Sequence, residues 1–200
     1  MRFALAIMLF FHARAYAAID CSALETRLSD MASADQRVRR EHQQLSADPN
    51  RTPLQQEDLD QRWHRIDGAN TAELKAILAA CGWPPGEQAS HLAWLLAQHA
   101  DKDRALQRTA RNLLESAVKK GVAAPRDLAY LADRIATAQG RPQEYGTQFT
   151  MPDRCTLTML PVDSIDQVNR RRRTLGMQSI EEYEAEGRKR LIPADCPAPE

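Results

Sequence analysis

Along most of this chain apolar residues recur every three or four positions, the spacing that gathers them on one face of a helix. Leu24, Leu28, Met31, Val38 and Leu45 form one such stripe and predict a long first helix from about Ser22 to Ser46, with Asp35 and His42 on the same stripe. A polar group on a buried face must be satisfied there or must open on a cavity, which singles out Asp35. The segment from Ala47 to Pro53 has the composition of a loop, and a second helix is expected from about Leu54 to Ile66. Asn70, with Glu73 three residues on, has the spacing of a capping box with Asn in place of the usual Ser or Thr, and predicts a fresh helix through Leu74, Ile77 and Leu78. Cys81-Gly82-Trp83-Pro84-Pro85 ends it, because glycine takes positive φ readily and proline cannot continue the ladder.

The next helix, from about Glu87, carries Leu92, Leu95, Leu96 and His99 at helical spacing, and a further apolar series runs from Leu106 to Ala117 before Gly121. Between the two, a break is expected, with Asp101 or Asp103 capping the new helix. Pro125 and Gly140 bracket another amphipathic helix through Leu128, Leu131, Ala132 and Ile135. Beyond Gly140 the pattern changes. Glu144 to Thr150 and Cys155 to Leu160 are β-leaning, separated by the turn-forming Met151-Pro152-Asp153-Arg154. Two short helices follow, Ser164 to Leu175, stopped by Gly176, and one opened by Ser179 with Glu182 as capping partner. The fold class expected is therefore mainly α, antiparallel helical hairpins in one domain with a short C-terminal β-hairpin.

The first residues read differently. Met1-Arg2, the apolar run Phe3 to Phe11 and the small-residue triplet Ala15-Tyr16-Ala17 have the outline of a signal peptide cleaved after Ala17. The run is too short to span a bilayer, and no later stretch comes close to the ~20 apolar residues a spanning helix needs. Asp20 stands where a lipid-modification motif before Cys21 requires a small residue, which argues against a lipid anchor. The organisation expected is thus a leader over residues 1–17, one helical domain over 18–192 and a tail over 193–200 tethered by Cys196, in a periplasmic or secreted protein. Export delivers Cys21, Cys81, Cys155 and Cys196 to an oxidising compartment, where two disulfides are expected. Four cysteines allow three pairings and the spacing does not choose; Cys21 with Cys81 and Cys155 with Cys196 would each join elements close in order. No pair of cysteines has zinc-knuckle spacing, and no metal or cofactor is expected. The 27 basic and 27 acidic residues become 25 against 27 without Arg2 and Arg14, a balance that argues against nucleic acid as the main partner.

Several short strings then carry a resemblance: Asp35-Gln36-x-x-Arg39, Trp63 with Asp67 and Asn70, Gly82-Trp83-Pro84, Ala93 to Asp101, Leu128-Ala129-Tyr130-Leu131-x-Asp133-Arg134, and Tyr145-Gly146-Thr147-Gln148. Together, over roughly Asp35 to Tyr183, they resemble the bacterial domain of unknown function numbered 6624. The resemblance implies a fold unit and a set of typical polar residues, and no activity. Where relatives tend to have a proline soon after the His-x-Asp string, this chain has Arg104.

His99 continues an apolar stripe and is followed by Asp101 and Asp103, a setting that reads first as a core histidine bonded to a carboxylate and second as a general base. As a zinc site it lacks third and fourth ligands. Asp133 and Arg134, with Tyr130, are read on the less apolar side of their helix, where Arg134 would hold an anion or knit two helices together. Gly146 within Tyr145-Gly146-Thr147-Gln148 suggests a strand bulge or close approach of a ligand to backbone. Asp35 and Arg39, one turn apart, form a helix-surface pair unless Asp35 is buried, when Arg39, His99 or Arg134 would partner it. Trp63, Trp83 and Trp94 read as packing, and the run Arg170 to Arg173 as a solvated face rather than a phosphate site. The Gly-x-Ser-x-Gly elbow, the Walker loop, His-Glu-x-x-His and the dinucleotide fingerprint are all missing from the sequence.

These residues lead to one expectation and one rival. The first is a binding or interaction module with one polar pocket formed by Asp35, Arg39, His99, Asp101, Asp133, Arg134, Tyr145 and Gln148, taking a small polar ligand or an envelope protein partner, in a possible inhibitor or immunity-like role. The rival is a hydrolase with His99 as general base, Asp101 or Asp133 orienting it, and Arg134 or Gln148 holding an oxyanion.

Overall fold

A computed structural model of the chain describes residues 19–197; the expected leader lies outside the described residues. Seven helices and one two-stranded sheet follow in order: α1 (Leu24–Ala47), α2 (Pro53–Cys81), α3 (Glu87–His99), α4 (Arg104–Lys119), α5 (Pro125–Ala138), β1 (Phe149–Asp153), β2 (Thr156–Met159), α6 (Ile165–Thr174) and α7 (Ile180–Leu191). The chain is mainly helical with an antiparallel hairpin near its C-terminus. Among the described residues no helix is long and apolar enough to cross a membrane.

The core lies where the helical stripes meet. α1 packs on α2 and α3, and α3 on α4 and α5. Leu28, Leu74, Ile77, Leu114 and Leu131 are fully buried in one cluster, each such side chain contributing about 1.5–3 kcal/mol by leaving water. Local signals set most of the ends. Ser164 accepts from the Gln167 amide at the start of α6, and Ser179 and Glu182 close a capping box at the start of α7. Asp103 accepts from the Leu106 amide at 2.8 Å and caps α4, so the chain breaks where the aspartates stand, with Arg104 in the first helical position.

Two elements depart from expectation. The break near Asn70 does not exist: Thr52 and Gln55 form a capping box that starts α2, and the helix runs on through Gly68 to Cys81. A helical glycine costs about 1 kcal/mol, and packing against α1 outweighs it. Asn70 points its amide across that interface and donates to the Met31 carbonyl at 3.1 Å instead of capping. The hairpin is also shorter and later than expected. Its first strand begins at Phe149, paired with Met159, and Glu144 to Gln148 form no strand.

Both expected disulfides are present, Cys21–Cys81 tying the start of α1 to the end of α2 and Cys155–Cys196 tying the hairpin to the tail. The first closes a loop with a sequence separation of 60, for which chain entropy alone gives about 4 kcal/mol. Replacing Cys21 and Cys81 together by Ser should therefore lower the free energy of urea unfolding by about that amount, with Cys155–Cys196 still recovered by non-reducing peptide mapping; an unchanged midpoint would contradict a constraining role.

Candidate functional site

Asp35 is 1% exposed and ionically surrounded. α1 presents it to α3, where the His99 Nδ1 lies 2.7 Å from Oδ2. Arg39, one turn along α1, donates from Nε to Oδ1 at 2.9 Å, and Gln36 donates to Oδ2 at 2.9 Å. Arg39 extends the cluster to α2, donating from Nη2 to Asp67 at 3.0 Å with its guanidinium 4.8 Å from the Trp63 ring centre. Burial pushes the Asp35 carboxyl up, but His99 and Arg39 together outweigh it and hold it below the usual carboxylate range. Burial pushes Asp67 up, and Arg39 only partly offsets it. A carboxylate only accepts, so Nδ1 of His99 carries the proton it donates to Asp35. Nε2 has no partner among the described residues, and the ring is 19% exposed. Gln98, its neighbour in the chain, is buried with Nε2 also unpartnered.

A second network starts in the turn between α3 and α4. Asp101 receives both Nε and Nη2 of Arg134 from α5, at 2.9 and 2.5 Å, and the Gln107 amide at 3.3 Å. Arg134 donates from Nη1 to the side-chain Oε1 of Gln148 at 3.4 Å, and the Gln148 Nε2 donates to the Thr147 hydroxyl at 3.0 Å. That hydroxyl in turn donates to Asp133 at 2.9 Å. Asp133 is fully buried on α5 and gathers three backbone amides as well, those of Glu144, Tyr145 and Thr147, at 2.8 to 3.0 Å. Burial pushes the Asp133 carboxyl above the usual range, against the downward pull of these donors. His99 and Asp101 are near enough to feel one another's charge, which makes the two networks neighbours.

Each expected site residue can thus be located. Asp101, Asp133, Arg134 and Gln148 share one hydrogen-bonded chain, and Tyr145 joins it through its backbone amide alone. Asp35, Arg39 and His99 form the other cluster. Three expectations need correction. The carboxylate on His99 is Asp35, not Asp101 or Asp133, because α1 lies against α3 whereas Asp101 is taken by Arg134 and Asp133 by the 144–147 backbone. Of the three partners expected for a buried Asp35, Arg39 and His99 hold it, and Arg134 does not. Asp133 is not on a polar helix side but is one of the most buried residues of α5.

Gly146 marks neither a bulge in the ladder nor an open ligand approach. Its φ is +63°, and a Cβ there would run into the Ile180 side chain of α7, so both backbone shape and close packing require glycine.

The sequence reading also missed Arg172. It was counted with the solvated Arg170 to Arg173 run, yet it is 1% exposed and donates to the carbonyls of Gln178 at 2.7 Å and Tyr145 at 2.7 Å. The available signal was its place one turn after the buried Val168 on α6. Trp83 caps Ser90 with an indole hydrogen bond at 2.8 Å, and Trp94 packs edge-on to Tyr130 at 5.9 Å, which fits their packing role. Among the described residues no group of three or more His, Cys, Asp or Glu side chains is placed to hold a metal ion.

A model of a family of unknown function (DUF6624) matches residues 22–188, the span from the start of α1 into α7. No curated protein and no solved structure matches the chain.

Asp35 ionises more readily in the fold than in the unfolded chain. Its contribution is therefore complete above its unfolded pKa of about 4 and is lost as pH falls through the lower folded value. Asp35→Asn should cost about 3 kcal/mol at neutral pH, since it strands Arg39 and His99, and the gap to the parent protein in urea unfolding should close progressively below about pH 4; a gap unchanged into strong acid would contradict an ionised Asp35. Gly146→Ala should destabilise by at least about 2 kcal/mol, from positive φ plus the clash with Ile180, with Ile180→Ala in the same chain restoring part of the loss in thermal melts.

Proposed function

The chain belongs to the DUF6624 family, a membership that brings no activity with it, and on that premise we propose an exported binding module whose ligand meets the polar face organised around His99. The observation that carries this reading is the split role of the His99 ring: Nδ1 is held at 2.7 Å by a buried carboxylate while Nε2 has no partner among the described residues. The buried Asp35 bond removes ring freedom in advance, so little ordering remains to oppose a ligand. The adjoining Arg39 uses Nε and Nη2 and leaves Nη1 without a hydrogen bond among the described residues. A ligand suited to this face offers a donor to Nε2 and an acceptor to the arginine, as a hydroxyl or amide group does. Two disulfides are consistent with folding in an oxidising compartment, and an envelope inhibitor or immunity-like role fits that setting.

The rest of the polar set supports binding over chemistry. Asp133 has its four acceptor sites filled by the Thr147 hydroxyl and three amides, and Asp101 is engaged by Arg134 and Gln107, so neither is placed to take a proton from His99 or a substrate. One feature favours the hydrolase reading all the same. A carboxylate fixing Nδ1 with Nε2 open is the arrangement a general base needs, with Asp35 as its orienting group.

A ligand-observed NMR screen of hydroxyl- and amide-bearing fragments against the oxidised chain from Ala18 tests both. We expect hits that shift the His99 Nε2 resonance and disappear in His99→Ala, with no turnover. Hits indifferent to His99→Ala would overturn the binding reading. Hydrolysis of nitrophenyl esters that falls about 100-fold or more in both His99→Gln and Asp35→Asn would replace it with the enzyme.

A further inference from the structure

Away from His99, a cavity of about 520 Å³ opens between α5, the hairpin and α6–α7, within the size range of small-molecule sites. Three aromatic side chains form part of its wall. Tyr130 meets Tyr183 edge-on at 6.2 Å between ring centres, and Phe149 lies 5.4 Å from Tyr183. Three arginines also line it, Arg126, Arg172 and Arg190, against one carboxylate, Glu186, which accepts from Gln178 at 3.0 Å.

Arg172 is the unusual member. It is 1% exposed and forms no salt bridge among the described residues. Its Nε and Nη1 are spent on the carbonyls of Gln178, Tyr145 and Gly146, and its guanidinium carbon lies 4.8 Å from the Tyr183 ring centre. Nη2 has no hydrogen-bond partner among the described residues. A buried guanidinium without a carboxylate is costly unless something else answers its charge. Carbonyl dipoles and the tyrosine ring answer part of it, and Arg172 lines the cavity with the two N–H groups of Nη2 unpaired among the described residues. Arg126 and Arg190, both exposed and free of acidic partners among the described residues, add two more positive charges.

We propose that this cavity binds an anionic ligand carrying an aromatic body, with the anionic group on Arg172 Nη2 and the two other arginines, and the ring between Tyr130, Tyr183 and Phe149. Carboxylate and phosphate share the chemistry, since both accept from guanidinium forks. The site is separate from the His99 face and shares none of its residues.

The test is titration of the oxidised chain with benzoate, phenyl phosphate, inorganic phosphate and the neutral benzamide at constant ionic strength, followed by amide and arginine Nε NMR shifts. Benzoate or phenyl phosphate should shift the Arg172 Nε and the amides of Met177, Gln178 and Tyr183 saturably, and the stronger of the two identifies the preferred anion. Arg172→Lys, which removes the Nη2 donors, should abolish the saturable shifts, and Arg126→Gln with Arg190→Gln is the second variant, away from the buried guanidinium. That pair should keep the melting temperature and weaken binding about fivefold, the loss of two exposed charge contacts. Equal binding of benzamide, equal binding of inorganic phosphate, unchanged affinity in the double variant, or no saturable shift from either aromatic anion would each overturn the proposal.

Discussion

Four donors converge on the carboxylate of Asp133, three of them backbone amides of the stretch between α5 and β1. That stretch has no ladder of its own, and where it is buried, at Gly146 and Thr147, an unpaired peptide group would cost about 1–3 kcal/mol. Asp133 answers its amides from one side. Arg172 answers the carbonyls of Tyr145 and Gly146 from the other, Tyr183 donates to the carbonyl of Thr147 at 3.3 Å, and Gln143 brackets Gln148 through both its amide and its carbonyl. The segment is thus suspended between two buried charges of opposite sign that do not touch. Each charge tolerates burial because peptide dipoles replace the water it lost, and charge-assisted bonds of this kind contribute about 1.5–3 kcal/mol apiece.

Much else takes its position from this suspension. Gln148 emerges from the segment to meet Arg134, Arg134 grips Asp101, and Asp101 sits in the turn that ends α3 immediately after His99. On the opposite side, the carbonyls held by Arg172 fix α6 and its turn to Gln178, which form one wall of the aromatic cavity. The helical core supplies bulk stability, but these polar ties decide where the His99 face and the arginine-lined cavity stand relative to it. Asp35 repeats the device between α1, α2 and α3, with His99 and Arg39 on separate oxygens. The two differ in what lies beyond: His99 Nε2 has no partner among the described residues, whereas the backbone held by Asp133 is bonded from its other side as well.

The helical framework was legible in the sequence wherever the signal was local. The α1 stripe, the Ser164 and Ser179 caps, the Asp103 break and the proline that opens α5 depend on residues a few positions apart, and the structure follows them. Asp35 was legible as a buried acid because it lay on an apolar stripe. What was not legible depends on partners far along the chain. Asn70 has the look of a cap until α1 offers it the Met31 carbonyl 39 residues away. Asp133 has a polar identity and a buried position, reconciled only by backbone that arrives 11 to 14 residues later. Arg172 was hidden by its neighbours, since four arginines in a row suggest water while the helix turns one of them inward. The His99 partner could not be chosen among nearby aspartates because the one that holds it is 64 residues away.

The central claim is that Asp133 holds the Glu144–Thr147 backbone in place, and amide hydrogen exchange at Glu144, Tyr145 and Thr147 tests it most directly. In the native chain these three amides should exchange slowly although they belong to no helix or strand. In Asp133→Asn their protection should fall about 100-fold further than that of the Leu28 and Leu74 amides, the equivalent of losing a charged acceptor. Rapid exchange at the three amides in the native chain, or an equal loss at all five positions in the variant, would contradict the account.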